Sequence, residues 1–205
     1  MSTKAGQKDA AVAAERIRLA AIRLFRERGY HGTSMRDLAT AVQLESASLY
    51  YHYPSKHDLL FALFQGIMDD LFDGIRRAIE DVGDIQQRLC AAVRFHVGFH
   101  VLRRDEAFIS HSELRALNPA QRAVIVEKRD LYQGAWCDLL RAGVANGCFD
   151  VSDVPVTANA ILMMCSGVSD WFVSNGRLSG DQIVEKYEEL VLRMVQRPRE
   201  RDPRR

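Results

Sequence analysis

Three adjacent side chains carry hydrogen-bond donors on long, stiff bodies: Tyr50, Tyr51 and His52. The residues just before them are small and are Ser46, Ala47 and Ser48. A helix that begins with small residues can bring its backbone close to base edges. Phenol and imidazole groups further along can reach phosphates or thymine methyl groups. The combination favours contact with double-stranded DNA.

Other polar residues lie where neighbouring helices are predicted to begin. Lys56 falls in a first turn, where free backbone N–H groups and a positive charge both favour a phosphate. Thr33 and Ser34 precede another helix and could serve the opposite strand in the same way. The structural alternative is that the aromatic run beside Pro54 packs two helices together, and Tyr53 is expected to do so.

Capping signals define the first helix that must position these side chains. Ser34 followed three residues later by Asp37 predicts a helix start, because the serine oxygen can accept an orphan backbone N–H. Apolar residues then recur at the spacing of an amphipathic helix, and they are Met35, Leu38, Ala39 and Val42.

A second short helix is predicted after a polar break at residues 43–45. It runs from Ser46 to about Tyr53, and Pro54 ends it because a proline disfavours the α conformation of the preceding residue. Ser55 with Asp58 repeats the capping signal and begins a third, longer helix. Two short helices joined by a tight turn are typical of a helix-turn-helix, which places its second helix in the major groove.

This segment resembles the N-terminal domain of the tetracycline-repressor (TetR) family of bacterial transcriptional regulators. The resemblance covers residues 12–65, and LYYHYPSKHDLL is its most specific part. The family's first helix corresponds to residues 10–28, and Gly29 stops it. Its apolar face consists of Ile17, Ala20, Ala21, Leu24 and Phe25. The resemblance implies a homodimeric, ligand-responsive repressor that binds an inverted-repeat operator and is released from it by a small hydrophobic effector.

Three residues depart from the family's usual pattern. Gln43 stands where a glycine is frequent in the turn, Glu45 replaces a frequent serine, and Ser46 replaces a residue that is often basic or small. A base contact inherited at Ser46 is therefore in doubt, and the operator sequence cannot be carried over from the family.

Composition favours a cytoplasmic protein without a membrane partner or a cofactor. Glu15, Arg16 and Arg18 interrupt the alanine-rich start, so no signal peptide is expected. The longest apolar run, residues 160–165, is too short to cross a bilayer. Four cysteines are widely spaced without a CxxC pair, which favours reduced thiols; they are Cys90, Cys137, Cys148 and Cys165.

Charge is distributed unevenly along a chain whose formal net charge is +1. Residues 1–60 contain nine Lys and Arg against six Asp and Glu, whereas residues 61–196 contain 14 against 19. The tail from residue 197 contains five basic residues and two acidic ones. The basic character of the helix-turn-helix region suits DNA, with a modest salt dependence for each subunit.

The pattern beyond residue 60 stays helical and predicts an all-α chain of about nine helices. Long helices are expected at about 55–80, 84–103, 119–146, 156–175 and 180–196, with a shorter segment at 105–117. The predicted domains are a flexible N-terminus (1–9), a helix-turn-helix DNA-binding domain (10–58), a helical effector-binding and dimerisation domain (59–196) and a charged tail (197–205).

The last two helices are predicted to form a homodimer interface, which the family resemblance supports. Apolar and small residues line one side of each, and they are Met164, Gly167, Val168, Ile183, Tyr187, Leu190, Val191 and Met194. The alternative is an ordinary intrachain helix pair. In a dimer, two recognition helices about 34 Å apart would read an inverted repeat.

A pocket for a small hydrophobic effector is expected among the central helices. Its candidate residues are His96, His100, His111, Glu113, Arg129, Trp136, Met163 and Trp171. His96 and His100 with His111 and Glu113 could instead bind a metal, although the prediction includes no metal. The GVSDWF segment and the helix after it resemble family members that respond to acyl-CoA thioesters. An aromatic, drug-like effector controlling efflux or detoxification is the competing interpretation.

Two other classes of protein fit the sequence less well. An enzyme would need a nucleophile with its base or a phosphate-binding glycine loop, and no GxSxG, GxGxxG, P-loop or HExxH motif is present. A helical adaptor protein would not need small residues at a helix start together with Lys56. Sequence-specific binding to duplex DNA distinguishes a regulator from both.

Overall fold

A computed structural model describes the backbone of residues 2–196 and the side chains of residues 10–196, and the regular structure there is entirely helical. Nine of the described helices have seven residues or more: α1 (Ser2–Arg28), α2 (Met35–Ala41), α3 (Ser46–His52), α4 (Lys56–Ile79), α5 (Ile85–Leu102), α6 (Arg104–Ser112), α7 (Pro119–Ala145), α8 (Val154–Ser166) and α10 (Gly180–Val195). A single-turn helix, α9 (Val168–Trp171), and a 3-10 turn (Leu114–Ala116) are shorter. The predicted all-α class is confirmed.

The predicted capping signals determine where the short N-terminal helices begin. The Ser34 side chain accepts the backbone N–H of Asp37, and the Asp37 carboxylate accepts the backbone N–H of Ser34 at 2.8 Å. At the start of α4, the Ser55 hydroxyl accepts the backbone N–H of Asp58 at 3.1 Å. Local sequence is therefore sufficient to place α2 and α4.

Two helix boundaries differ from those predicted. Helix α1 begins at Ser2 rather than residue 10, and no proline interrupts the chain there. The predicted helix 156–175 is shorter and begins at Val154, because a proline is tolerated in a first turn and Asp153 caps that turn. Gly167 ends it, and α9 closes at Trp171. The predicted charged tail, residues 197–205, lies outside the described residues.

The chain divides into two compact units, and the division differs from the predicted boundary at residue 58. The first unit contains the chain up to Met68 together with Asp105–Glu127. Ile109, Leu117 and Ile125 belong to the same buried apolar core as Phe25 and Leu49. Helix α6 and the start of α7 are therefore part of the first unit, together with the predicted helix-turn-helix.

The second unit contains Asp69–Arg104 and the chain from Lys128 onward. Helices α8, α9 and α10 all pack against α5. All four cysteines are free, and burial raises the pKa of Cys165 to about 12. None of the described helices combines the length and apolar character that a membrane span requires.

Candidate DNA interface and effector site

Helix α3 leaves its predicted DNA-contacting side chains exposed or half-buried. Leu49 is fully buried and fixes the helix against the core of the first unit. Tyr51 is 85% exposed and Tyr50 is 49% exposed. The ring of His52 lies edge-on to that of Tyr51 at 5.7 Å.

The three small residues at the start of α3, which are predicted to allow close approach of the backbone to DNA, differ in exposure. Ser46 and Ala47 are exposed, and Ser48 is half-buried. Tyr53, which follows the helix in extended conformation, is half-buried against the core of the unit. Burial raises its pKa, which agrees with the structural role predicted for this tyrosine.

The predicted DNA contact of Thr33 needs correction. Its side chain is only 1% exposed, and its hydroxyl donates to the carbonyl oxygens of Gly29 at 3.0 Å and Leu24 at 3.3 Å. Thr33 therefore holds the turn that precedes α2. Ser34 beside it is exposed, although its hydroxyl is hydrogen-bonded to Asp37 at 2.5 Å.

Lys56 also has a structural role that the sequence did not reveal. Its ammonium donates to the backbone carbonyls of Tyr30 at 2.7 Å and Thr33 at 2.6 Å, and it lies 4.2 Å from the centre of the Tyr30 ring. Desolvation lowers its pKa, against the opposing charges of Asp37 and Glu113. Two of its three N–H groups are thus committed within the chain.

Two exposed cations near the start of α2 were missed by sequence reasoning. Arg28 and Arg36 are both exposed, and their charges add to the hydrogen bonds from Ser34 that chiefly lower the pKa of Asp37. Their position beside an exposed helix-turn-helix surface suits phosphate contact. The available signal for Arg36 was a basic residue two positions after the cap at Ser34.

The turn between α2 and α3 contains the one described non-glycine residue with a positive φ, Gln43 at 55°. This is the position where a glycine is frequent in the family. A left-handed conformation costs a residue with a Cβ about 1–2 kcal/mol.

We therefore expect Gln43→Gly to increase the free energy of unfolding by up to about 1 kcal/mol, because glycine removes the backbone strain. The greater conformational freedom of glycine in the unfolded chain offsets part of this gain in stability. Chemical denaturation followed by circular dichroism measures the change. Gln43→Ala is the matched control, because alanine retains the strained Cβ. Equal stability of the glycine and alanine variants would contradict the argument.

In the second unit, a buried cluster of polar and aromatic side chains surrounds His96. Its Nδ1 lies 2.9 Å from the Tyr132 hydroxyl, and its Nε2 lies 3.1 Å from the Ser166 hydroxyl. The rings of His100 and Trp136 lie 4.5 and 5.6 Å from the His96 ring. The cluster connects α5, α7 and α8. Desolvation raises the pKa of Tyr132, so its phenol stays protonated.

Only part of the predicted effector set belongs to this cluster. His96, His100 and Trp136 are brought together, and Arg129 lies on the same helix as Trp136, with its pKa lowered by desolvation.

The other predicted pocket residues need correction. His111 and Glu113 belong to the first unit, because α6 packs with the helix-turn-helix. Met163 and Trp171 are 77% and 53% exposed, because they lie on the outward sides of α8 and α9. Among the described residues, no group of three or more His, Cys, Asp or Glu side chains could hold a metal ion.

The predicted dimer residues fall into two groups. Val168, Ile183, Tyr187 and Val191 are buried within the unit, because α9 and α10 use this side to pack on α5; this part of the stripe is intrachain. Leu190 and Met194 remain exposed on α10. Met164, in the last turn of α8, and Gly167, directly after that helix, are half-buried. The dimer prediction left out three further exposed apolar residues of α8 and α9, which are Val156, Met163 and Trp171.

Family models match both parts of the chain. Residues 17–63 match "Bacterial regulatory proteins, tetR family", and residues 82–195 match "Tetracyclin repressor-like, C-terminal domain". Together with the exposed helix α3, this defines a helix-turn-helix transcriptional regulator. The chain belongs to the TetR family, whose members are regulators and not enzymes. The resemblance found in the sequence is confirmed.

Similar proteins cover most of the chain. The transcriptional repressor KstR2 of Rhodococcus jostii (strain RHA1) is 30% identical over 82% of this chain and 84% of its own length. A tetR-family regulatory protein from Rhodococcus RHA1 has a TM-score of 0.85 and 32% identity, covering 91% of this chain and 98% of that one. AibR, solved with isovaleryl coenzyme A and operator DNA, has a TM-score of 0.79 and 29% identity, covering 87% and 97%.

Proposed function

We propose that this protein is a homodimeric repressor that binds an inverted-repeat operator and is released from it by a small acyl-CoA thioester. The observation that carries the DNA-binding part is the exposure of Tyr50 and Tyr51 on a short helix that Leu49 anchors in the core. A regulator of this bacterial family acts in the cytoplasm, where the DNA is.

The DNA-binding surface is assigned to α3 and the start of α2. The proposed DNA-contacting residues are Ser46, Ala47, Ser48, Tyr50, Tyr51 and His52. Arg28 and Arg36 supply exposed positive charge for phosphates, while Lys56 chiefly positions the turn before α2. Phosphate contacts set the orientation on the duplex, and contacts to base edges set the sequence preference.

The dimer interface is assigned to the outward sides of α8 and α10. Met163 and Leu190 are large apolar side chains that a lone chain leaves in water. Burying such surface against a second copy is favourable, and a twofold axis places two copies of α3 on the same side of a duplex.

The effector site is assigned to the cluster around His96. Its hydrogen bonds to Tyr132 and Ser166 bring a few polar atoms together inside an aromatic, apolar surrounding, which is the composition of a ligand site. A ligand that separates these helices binds the rearranged conformation better, and such a difference in affinity is what shifts a conformational equilibrium. The complex of AibR with isovaleryl coenzyme A supports an acyl-CoA thioester as the ligand class.

Selection of bound sites from a random duplex library tests the DNA-binding proposal. Enrichment of an inverted repeat is expected, whereas a lone half-site would contradict the dimer. Absence of enrichment, also after the protein is unfolded and refolded to remove bound ligand, would overturn sequence-specific binding.

Release from the selected duplex tests the effector. Isovaleryl coenzyme A is expected to lower the fluorescence anisotropy of the labelled duplex, while free coenzyme A and isovalerate leave it unchanged. His96→Leu is expected to keep operator binding and lose this response. His111→Leu is the matched control, because His111 is exposed on α6. Release by aromatic compounds alone would overturn the thioester assignment.

A further inference from the structure

Lys56, the first residue of α4, binds the turn between α1 and α2, residues 29–33. Gly29 ends α1 with a φ of 73°, and the side chain of Tyr30 after it is 2% exposed. Lys56 binds the carbonyl oxygens of Tyr30 and Thr33. This turn leads directly into Ser34, the cap of α2, so its conformation determines how the helix-turn-helix leaves α1.

The same turn is held from a second side by a residue distant in sequence. The backbone N–H of Tyr30 donates to Glu113 Oε1 at 3.4 Å across 83 residues of chain. Glu113 lies between α6 and the 3-10 turn, and its side chain makes no capping bond there. One residue of the turn therefore has its N–H held by Glu113 and its carbonyl held by Lys56.

The segment that carries Glu113 is attached to α1 by three contacts. Glu106 pairs with Arg18 at 3.1 Å. Arg26 pairs with Asp105 at 3.5 Å and lies 3.9 Å from the centre of the Phe108 ring. These contacts fix α6 against α1 and thereby fix the position of Glu113 relative to the turn.

Electrostatics alone do not explain a carboxylate at this position. A negative charge near the C-terminal end of α1 is unfavourable to the helix dipole, and in a DNA-binding unit it repels phosphates. Its compensation is local, since it accepts the Tyr30 N–H and its charge favours the protonated form of Lys56.

We propose that Glu113 is a positioning residue for operator binding, acting through Tyr30 and without contact with DNA. Its hydrogen bond and that of Lys56 fix the peptide groups on both sides of Tyr30, and so fix the start of α2 against which α3 packs. Removing the acceptor weakens operator binding, whereas removing only the negative charge does not. This inference uses the operator of the proposed function but also has a test without DNA.

Three variants separate the hydrogen bond from the charge. Glu113→Ala removes both, Glu113→Gln keeps an acceptor oxygen without the charge, and Glu113→Asp keeps the charge on a shorter side chain. Without the bond, the turn leaves its binding conformation in the free protein, and restoring that conformation costs up to about the energy of one hydrogen bond. This cost corresponds to a complex up to about fivefold weaker per subunit, or about 25-fold for a dimer. Glu113→Ala and Glu113→Asp are expected to show that loss on the selected duplex, and Glu113→Gln to stay within about twofold of the original affinity.

The slope of log affinity against log salt concentration is expected to be unchanged in all three variants, because the number of phosphates contacted is unchanged. Equal affinities of the alanine and glutamine variants would overturn the proposal, because only charge would then matter. A smaller slope in Glu113→Ala would also overturn it, since lost phosphate contacts would explain the weakening.

Hydrogen exchange of the Tyr30 amide, measured by NMR on the free protein, tests the same bond without operator. The Tyr30 amide is expected to exchange faster in Glu113→Ala and Glu113→Asp, and at close to the original rate in Glu113→Gln. The comparison is made between proteins with the same melting temperature, so that a change in overall stability does not account for the difference. Unchanged exchange in Glu113→Ala would overturn the positioning role. Failure of the original protein to enrich any operator would count against the proposed function alone, because this measurement needs no DNA.

Discussion

Leu190→Asp is expected to convert the dimer to a monomer and to abolish tight binding to the inverted repeat. Leu190 is 46% exposed on the outward side of α10, where the proposed interface would bury it. A carboxylate placed in an apolar interface loses hydration without gaining a partner. An increase of at least about 100-fold in the dimer dissociation constant is expected, equivalent to about 2.8 kcal/mol.

Sedimentation velocity measures the mass, and anisotropy with the selected duplex measures operator binding. Leu131→Asp is the matched control, because Leu131 is 59% exposed in the same unit but lies on α7. The control is expected to remain dimeric. A dimeric Leu190→Asp protein, or equal disruption by both substitutions, would move the interface away from α10.

The helix-turn-helix could be predicted from sequence because its signals are local. The pairs Ser34 with Asp37 and Ser55 with Asp58 lie three residues apart, and each sets a helix start whatever the rest of the chain does. The burial of Leu49 follows similarly, since it is the one large apolar residue within α3 that precedes the exposed tyrosines.

Residue roles set by distant contacts could not be predicted in the same way. Glu113 resembles a pocket residue in sequence, yet it binds the backbone of Tyr30. Lys56 stands where a phosphate contact is expected, yet its ammonium binds two carbonyls of a turn 23 and 26 residues earlier. The type of a polar side chain indicates which groups it can bind. The packing of α6 and α4 determines which of those groups lies within hydrogen-bonding distance.

The apolar stripe of α10 shows a second limit of sequence patterns. Val191 and Leu190 both belong to it, but Val191 packs inside its own unit while Leu190 faces outward. A helix that is apolar over more than one side is typical of an element with two packing partners. The periodicity of the sequence predicts how much of the surface of α10 is apolar. The structure shows that one side of this surface packs against α5.

Tyr51→Ala is expected to weaken binding to the selected operator by about 100-fold while leaving the fold and the dimer unchanged. Tyr51 is 85% exposed, so its removal costs the free protein little, as for most surface substitutions. A good contact to a base edge contributes about 1–3 kcal/mol, and a hydrogen bond to a charged group such as a phosphate about 1.5–3 kcal/mol. A dimer loses the contact twice, once in each half-site.

Tyr51→Phe distinguishes the two ways in which this side chain can act. If the hydroxyl donates to a phosphate or a base, phenylalanine behaves like alanine. If the ring packs against a thymine methyl group, phenylalanine keeps most of the affinity. Repeating the site selection with Tyr51→Phe then separates base contact from backbone contact: a changed preference at one position in each half-site indicates a base, and an unchanged preference with weaker binding indicates a phosphate. Full affinity in Tyr51→Ala would remove the exposed surface of α3 from the DNA interface.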